Sequence, residues 1–173
     1  MVRQSNGRLA TFSANQVSTF GWYDDTQHKQ RDFQSIEVGV PENSNHAMRA
    51  FYEVCMDGSL TVVRRLTRPH GLFKRAFGHP ANYADQATMA QNTDHFDYFV
   101  HDAGHLLPLS RFYTDVYNPL MNAYDQKLQE FVITHNINTR TTIGRLILVD
   151  HYNFLVQQDA RTASAKTQNS KPN

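Results

Sequence analysis

The chain has 173 residues, with 17 Lys and Arg against 16 Asp and Glu, nine His, one Cys and 40% hydrophobic residues. One domain is the default at this length, and a domain of about 150 residues buries roughly 70% of its unfolded-chain surface, so folding needs neither a disulfide nor a structural metal. A formal charge of +1 excludes whole-molecule attraction to nucleic acid or an acidic membrane, and the lone Cys55 excludes an internal disulfide.

The opening residues 1–8 carry two Arg but no apolar run after them, the pattern of neither a signal peptide nor a transmembrane span. With Met1 as the true start, the expected compartment is the cytoplasm. Residues 9–40 are strand-like. Ser13 and Gln16 have the spacing of a capping box, which predicts one helical turn between a first short strand and a second at 17–23. Asp24 and Asp25 predict a turn over 24–29, because Asp side chains cap their own backbone, and a strand over 31–38 returns.

The strongest local signal lies at 48–65, where two β-type runs flank Asp57-Gly58, a pair suited to the positive φ angles of a tight hairpin. Alternation puts Phe51, Glu53 and Cys55 on one face of the first strand and Tyr52, Val54 and Met56 on the other. A second hairpin is predicted at 95–109, turning at Asp102-Ala103-Gly104. Between the hairpins, residues 67–94 form a predicted loop whose length points to function or mobility.

After Leu109 the period lengthens to about 3.6. Ser110 caps a short predicted helix through Val116. Asn118-Pro119 reads as an N-cap and first helical position, and Leu120, Tyr124, Leu128 and Phe131 then form one apolar stripe ending near His135. A last helix is predicted over 141–158, and its apolar residues on more than one face predict the most buried helix. The polar run from Asp159 onward predicts a disordered tail. The expectation is therefore an α+β fold: antiparallel β-hairpins in the N-terminal two thirds packed on two or three C-terminal helices, as a single domain over 1–158 with a polar tail over 159–173.

Two clusters could carry chemistry. His101-Asp102-Ala103-Gly104-His105 has an H-D-x-x-H spacing that can ligate one divalent metal such as zinc, giving a metal-dependent hydrolase as the alternative function. Gly104 and Pro108 oppose the helix that this geometry requires, so turn chemistry competes with it. The second cluster runs through Arg64, Arg65, Arg68, His70, Phe73, Lys74, Arg75 and Phe77, concentrating cations between aromatics as a polyanion or partner surface would. A solvated hairpin end, balanced by Asp85, Asp94, Asp97 and Asp102, is the competing reading. Cys55 reads as an inert core thiol, and Trp22 and the eight Tyr as core and sheet packing. The Gly-x-Ser-x-Gly, Walker and Gly-x-Gly-x-x-Gly patterns are absent.

The segments at residues 12–20, 31–36, 51–65 and 98–109, with the closing Asp150-His-Tyr-Asn153, form a series that resembles a group of small envelope or secreted proteins of Bacteroidota-type bacteria. The resemblance implies two β-hairpins followed by a helical C-terminus and an extracytoplasmic location. It carries no catalytic residues or cofactor. The expected function is non-enzymatic binding, at the cell envelope, of a protein or polyanionic glycan through the basic loop at 64–79. Nucleic acid and a membrane span are not expected.

Overall fold

A computed structural model of the chain describes residues 2–3, 9–38, 48–66 and 96–169. Two short strands, β1 (Val2–Arg3) and β2 (Leu9–Ala10), pair with each other. The main sheet is an antiparallel meander of six strands: β3 (Thr19–Asp24), β4 (Lys29–Glu37), β5 (Arg49–Met56), β6 (Thr61–Leu66), β7 (Phe96–Asp102) and β8 (His105–Pro108). A 3₁₀ turn (Leu109–Arg111), a π-helix (Phe112–Met121), a second 3₁₀ turn (Asn122–Tyr124) and two α-helices, α1 (Asp125–Thr134) and α2 (Thr142–Asn169), follow. Strands first and helices last make the fold α+β, as the patterning predicts.

The sheet is asymmetric. On one face, Val62 and Val100 at zero exposure lie beneath Leu109, Phe112, Val116, Met121, Leu128, Leu148 and Val149, forming the main core over β6 to β8. Burying each such side chain stabilises the fold by roughly 2 kcal/mol. On the other face a smaller cluster joins Ile36, Tyr52 and Val63. A register shift between Val54 and Met56 brings Met56 opposite Val62, which moves it from its predicted face to the main core.

The two hairpin turns are built differently. Ala103 and Gly104 adopt φ of 45° and 85° between the paired Asp102 and His105, the tight turn that Gly permits. By contrast, the β5–β6 connection is a longer loop, and Gly104 is the described glycine with positive φ. Gly58 is needed for space instead: a Cβ there would meet Asn153 Nδ2 at 2.6 Å. Asn153 on α2 donates to the Leu60 carbonyl (2.9 Å) and accepts from the Leu60 N–H (2.8 Å), standing in for a neighbouring strand. The predicted turns at Ser13 and Asp24 form: Gln16 Oε1 accepts from the Ser13 N–H, and Asp24 Oδ1 from the N–H groups of Thr26 and Gln27.

Three helical expectations need correction. Asn118 is not a cap, and Pro119 lies inside the π-helix. The buried residues Phe112, Val116, Tyr117 and Met121 recur at four and five positions, a spacing that suits the wider i→i+5 turn better than an α-helix. The last helix buries more than α1 but is not the most buried one: it leaves Ile143, Ile147 and Phe154 exposed, whereas the π-helix buries Phe112, Val116, Tyr117 and Met121 among its 10 residues. Finally, α2 passes residue 158 and continues through Asn169, so the predicted disordered tail is helical over most of its length. Ala, Gln, Lys and Arg there favour helix, and Asp159 accepts from Tyr124 Oη at 2.9 Å. Elsewhere on α2, the His151 ring stacks on Phe131 at 3.7 Å. No helix among the described residues is long and apolar enough to cross a membrane.

Asn153→Ala removes both bonds to the Leu60 backbone and leaves that donor and acceptor unmatched. It should destabilise the protein by about 2 kcal/mol in urea titration, with the m-value unchanged.

Candidate functional site

The outer half of the sheet, β3 to β5 with the adjoining part of β6, is built differently from the helix-covered half. Cross-strand registry aligns Trp22 with Arg31, and Glu53 with Arg64 and Phe33. Arg31 Nε donates to Asp24 Oδ2 at 2.8 Å and Arg31 Nη1 to Glu53 Oε1 at 2.9 Å, while Gln27 Oε1 accepts from Arg31 Nη2 at 2.6 Å. Arg64 grips both oxygens of the same Glu53, at 2.9 and 3.0 Å. Aromatic rings close the two ends: the Arg31 guanidinium lies 5.9 Å from the Trp22 ring and that of Arg64 lies 4.1 Å from the Phe96 ring. Two cations and two carboxylates therefore form one neutral ladder across four strands, with Asp24, Arg31 and Glu53 all buried.

Each charge is stabilised by its neighbours. Burial opposes ionisation of Asp24, but the Arg31 hydrogen bond, the N–H groups of Gln27 and Thr26 and the Arg31 charge outweigh it and hold the carboxyl below its ordinary value. A lowered carboxyl pKa stabilises the fold above the unfolded-chain value, and that contribution is lost as the pH falls through the folded value. Burial likewise opposes the charge on Arg64, and hydrogen bonds to Glu53 and Tyr98 overcome it. Cys55, two residues along β5, is pushed by burial up to about 11 despite the nearby Arg64 charge, so it is a protonated thiol.

Above this charged layer lies an aromatic surface. Phe20 stacks on Phe33 with 4.8 Å between ring centroids and meets Phe51 edge-on at 4.9 Å. Yet Phe20 remains 41% exposed and Trp22 49%, and Tyr23, on the opposite face of β3, is 53% exposed. Trp22 and Tyr23 are thus not the core packing that composition suggests. Among the described residues β3 is an edge of the sheet, with no second neighbouring strand to cover its rings.

No family model, curated protein or solved structure matches the chain.

The His101, Asp102 and His105 cluster is not assembled as a site, and of the basic cluster Arg64 and Arg65 are the members among the described residues. Arg64 and Arg65 are adjacent on β6 and so face opposite ways. Arg64 is bound within the ladder, and Arg65 lies over the Tyr52 ring at 5.5 Å, with Nη1 donating to Tyr52 Oη at 3.4 Å. Arg68, His70, Phe73, Lys74, Arg75 and Phe77 lie outside the described residues. His101 pairs with Leu106 on one face of the β7–β8 hairpin, while Asp102 pairs with His105 on the other. No three His, Cys, Asp or Glu side chains among the described residues are grouped to hold a metal ion. Sequence reasoning does not single out Phe20 and Trp22 as a surface, although an uncharged strand at the start of a meander is the signal of an open edge.

Glu53 joins Arg31 to Arg64, so Glu53→Gln should cost about 3 kcal/mol in urea denaturation, as expected for removing one partner of a buried charge pair. The half-buried, protonated Cys55 thiol should react with a thiol reagent at least tenfold more slowly in the folded protein than in urea, and equal rates would contradict its raised pKa.

Proposed function

We propose that the protein is a non-enzymatic binding protein that contacts a protein partner through the β3 edge and the aromatic surface beside it. The observation that carries this reading is the exposure of Phe20 and Trp22 side by side on one face of β3, with Tyr23 exposed on the other face, on a strand that is an edge among the described residues. Large exposed aromatics held on a rigid base are the residues that dominate protein interfaces, because they bury much area at little entropic cost. The neutral ladder beneath supplies that base, and its cations are already matched by carboxylates. A polyanion would instead have to be held by Arg68, Lys74 and Arg75, since Arg64 and Arg65 are engaged within the sheet. A place at the cell envelope belongs to the same proposal and rests on the resemblance of the hairpin units.

Trp22 is the only Trp in the chain, so its emission reports directly on this surface. Partner proteins retained from the source cells should blue-shift that emission, and Phe20→Ser with Trp22→Ser should abolish their retention. Ile133→Ser, on the helical side, should leave it intact. Loss of retention on charge reversal of Arg68, Lys74 and Arg75, with no effect of the β3 changes, would move the contact to the basic segment.

A further inference from the structure

The backbone of β3 is presented in a self-complementary pattern. The Ser35 N–H donates to the Ser18 carbonyl at 2.7 Å, and the pairing continues from Thr19 opposite Gln34 to Asp24 opposite Lys29 without a bulge. In an antiparallel ladder, alternate residues direct both backbone groups at the same neighbour. With Ser18 turned to β4, Phe20 and Trp22 are turned there too, and Thr19, Gly21 and Tyr23 direct their N–H and carbonyl groups outward. Open edges are ordinarily blunted by Lys, Pro or a bulge. Residues 19–23 contain no charged residue and no Pro.

The three outward residues are symmetric about Gly21. A second β3 turned about a two-fold axis at Gly21 sets Gly21 against Gly21 and Thr19 against Tyr23, and every outward backbone group finds a partner. We infer that two copies of this chain associate through β3 in that register, joining their six-stranded sheets into one continuous sheet.

The side chains favour a second copy over an unrelated extended peptide. In this register Phe20 of one copy faces Trp22 of the other at a non-hydrogen-bonded pair, where cross-strand side chains come closest and aromatic pairs stabilise the ladder. Both rings lie on the same face and are close to half exposed in the single chain. Charge also permits the pairing: the paired segment is uncharged, and Asp24 at its end is already neutralised by Arg31. A short ladder with three half-exposed aromatics per copy buries less than the roughly 800 Å² per partner of a standard interface, so the dimer should be weak, with a dissociation constant of roughly 10–100 µM.

The inference rests on β3 being the contact surface and names the partner. The test uses charge at the two positions that face each other across the axis, both of which are exposed and on the sheet face opposite the ion ladder. In sedimentation velocity of the full chain, wild type should shift from monomer to dimer as concentration rises. Thr19→Lys with Tyr23→Lys, and Thr19→Glu with Tyr23→Glu, should each weaken dimerisation at least tenfold. An equimolar mixture of the two variants should recover a heterodimer, because the lysines introduced into one copy then face the glutamates introduced into the other. That recovery also shows that both variants are folded. Wild type that stays monomeric at several hundred micromolar would overturn the inference, as would a mixture that stays monomeric. In either case, continued retention of other proteins by wild type and its loss in the Phe20 and Trp22 variants would leave the contact surface standing with a different partner.

Discussion

Glu53 links the outer half of the sheet to the helix-covered half through its side chain. Its carboxylate is shared by Arg31 from β4 and Arg64 from β6, and Arg31 passes the connection on to Asp24 at the end of β3. Buried ion pairs often contribute less net stability than well-packed apolar residues, because desolvating the charges offsets their attraction. Their geometric demand is nonetheless strict: a guanidinium fork matched to a carboxylate tolerates no slip of one residue. A one-residue slip of β4 on β5 would turn Arg31 to the opposite face and leave Glu53 with one partner. The ladder therefore fixes the register of four strands and supplies a stiff floor beneath the aromatic surface.

The other half of the molecule is held by different means. Val62 and Val100 are sealed by the π-helix and by α1 and α2, and the layers are tied by polar contacts at their margins. Arg145 at the start of α2 donates to the Leu109 carbonyl (2.8 Å) and to that of Thr139 (3.1 Å), while Asn153 completes the backbone bonding of Leu60. Helices cover β6 to β8, and among the described residues the first strand of the meander is left with open backbone groups. The strand order, and not the apolar core, places β3 at an edge of the sheet.

Local patterning carries the meander well. Alternation places Phe51, Glu53 and Cys55 together, separates Arg64 from Arg65 and locates both hairpins, because those features depend on residues one or two positions apart. What it misses depends on distance along the chain. Arg64 looks like part of a free cation cluster because its partner Glu53 lies across a hairpin, and Arg31 meets Glu53 only after β4 and β5 pair. Trp22 and Tyr23 look like core because alternation reports which residues share a face and says nothing of whether a strand has a neighbour. Gly58 reads as a turn requirement, whereas the side chain that excludes a Cβ there comes from α2.

Everything proposed for β3 depends on its being firmly attached on one side and open on the other. Residue-resolved amide hydrogen exchange on dilute, monomeric protein distinguishes the two sides. Alternation is expected, with slow exchange at Phe20 and Trp22, whose amides bond to β4, and fast exchange at Thr19, Gly21 and Tyr23. Uniformly fast exchange through the strand would show that the ladder does not hold it, and uniform protection would show that the edge is already covered.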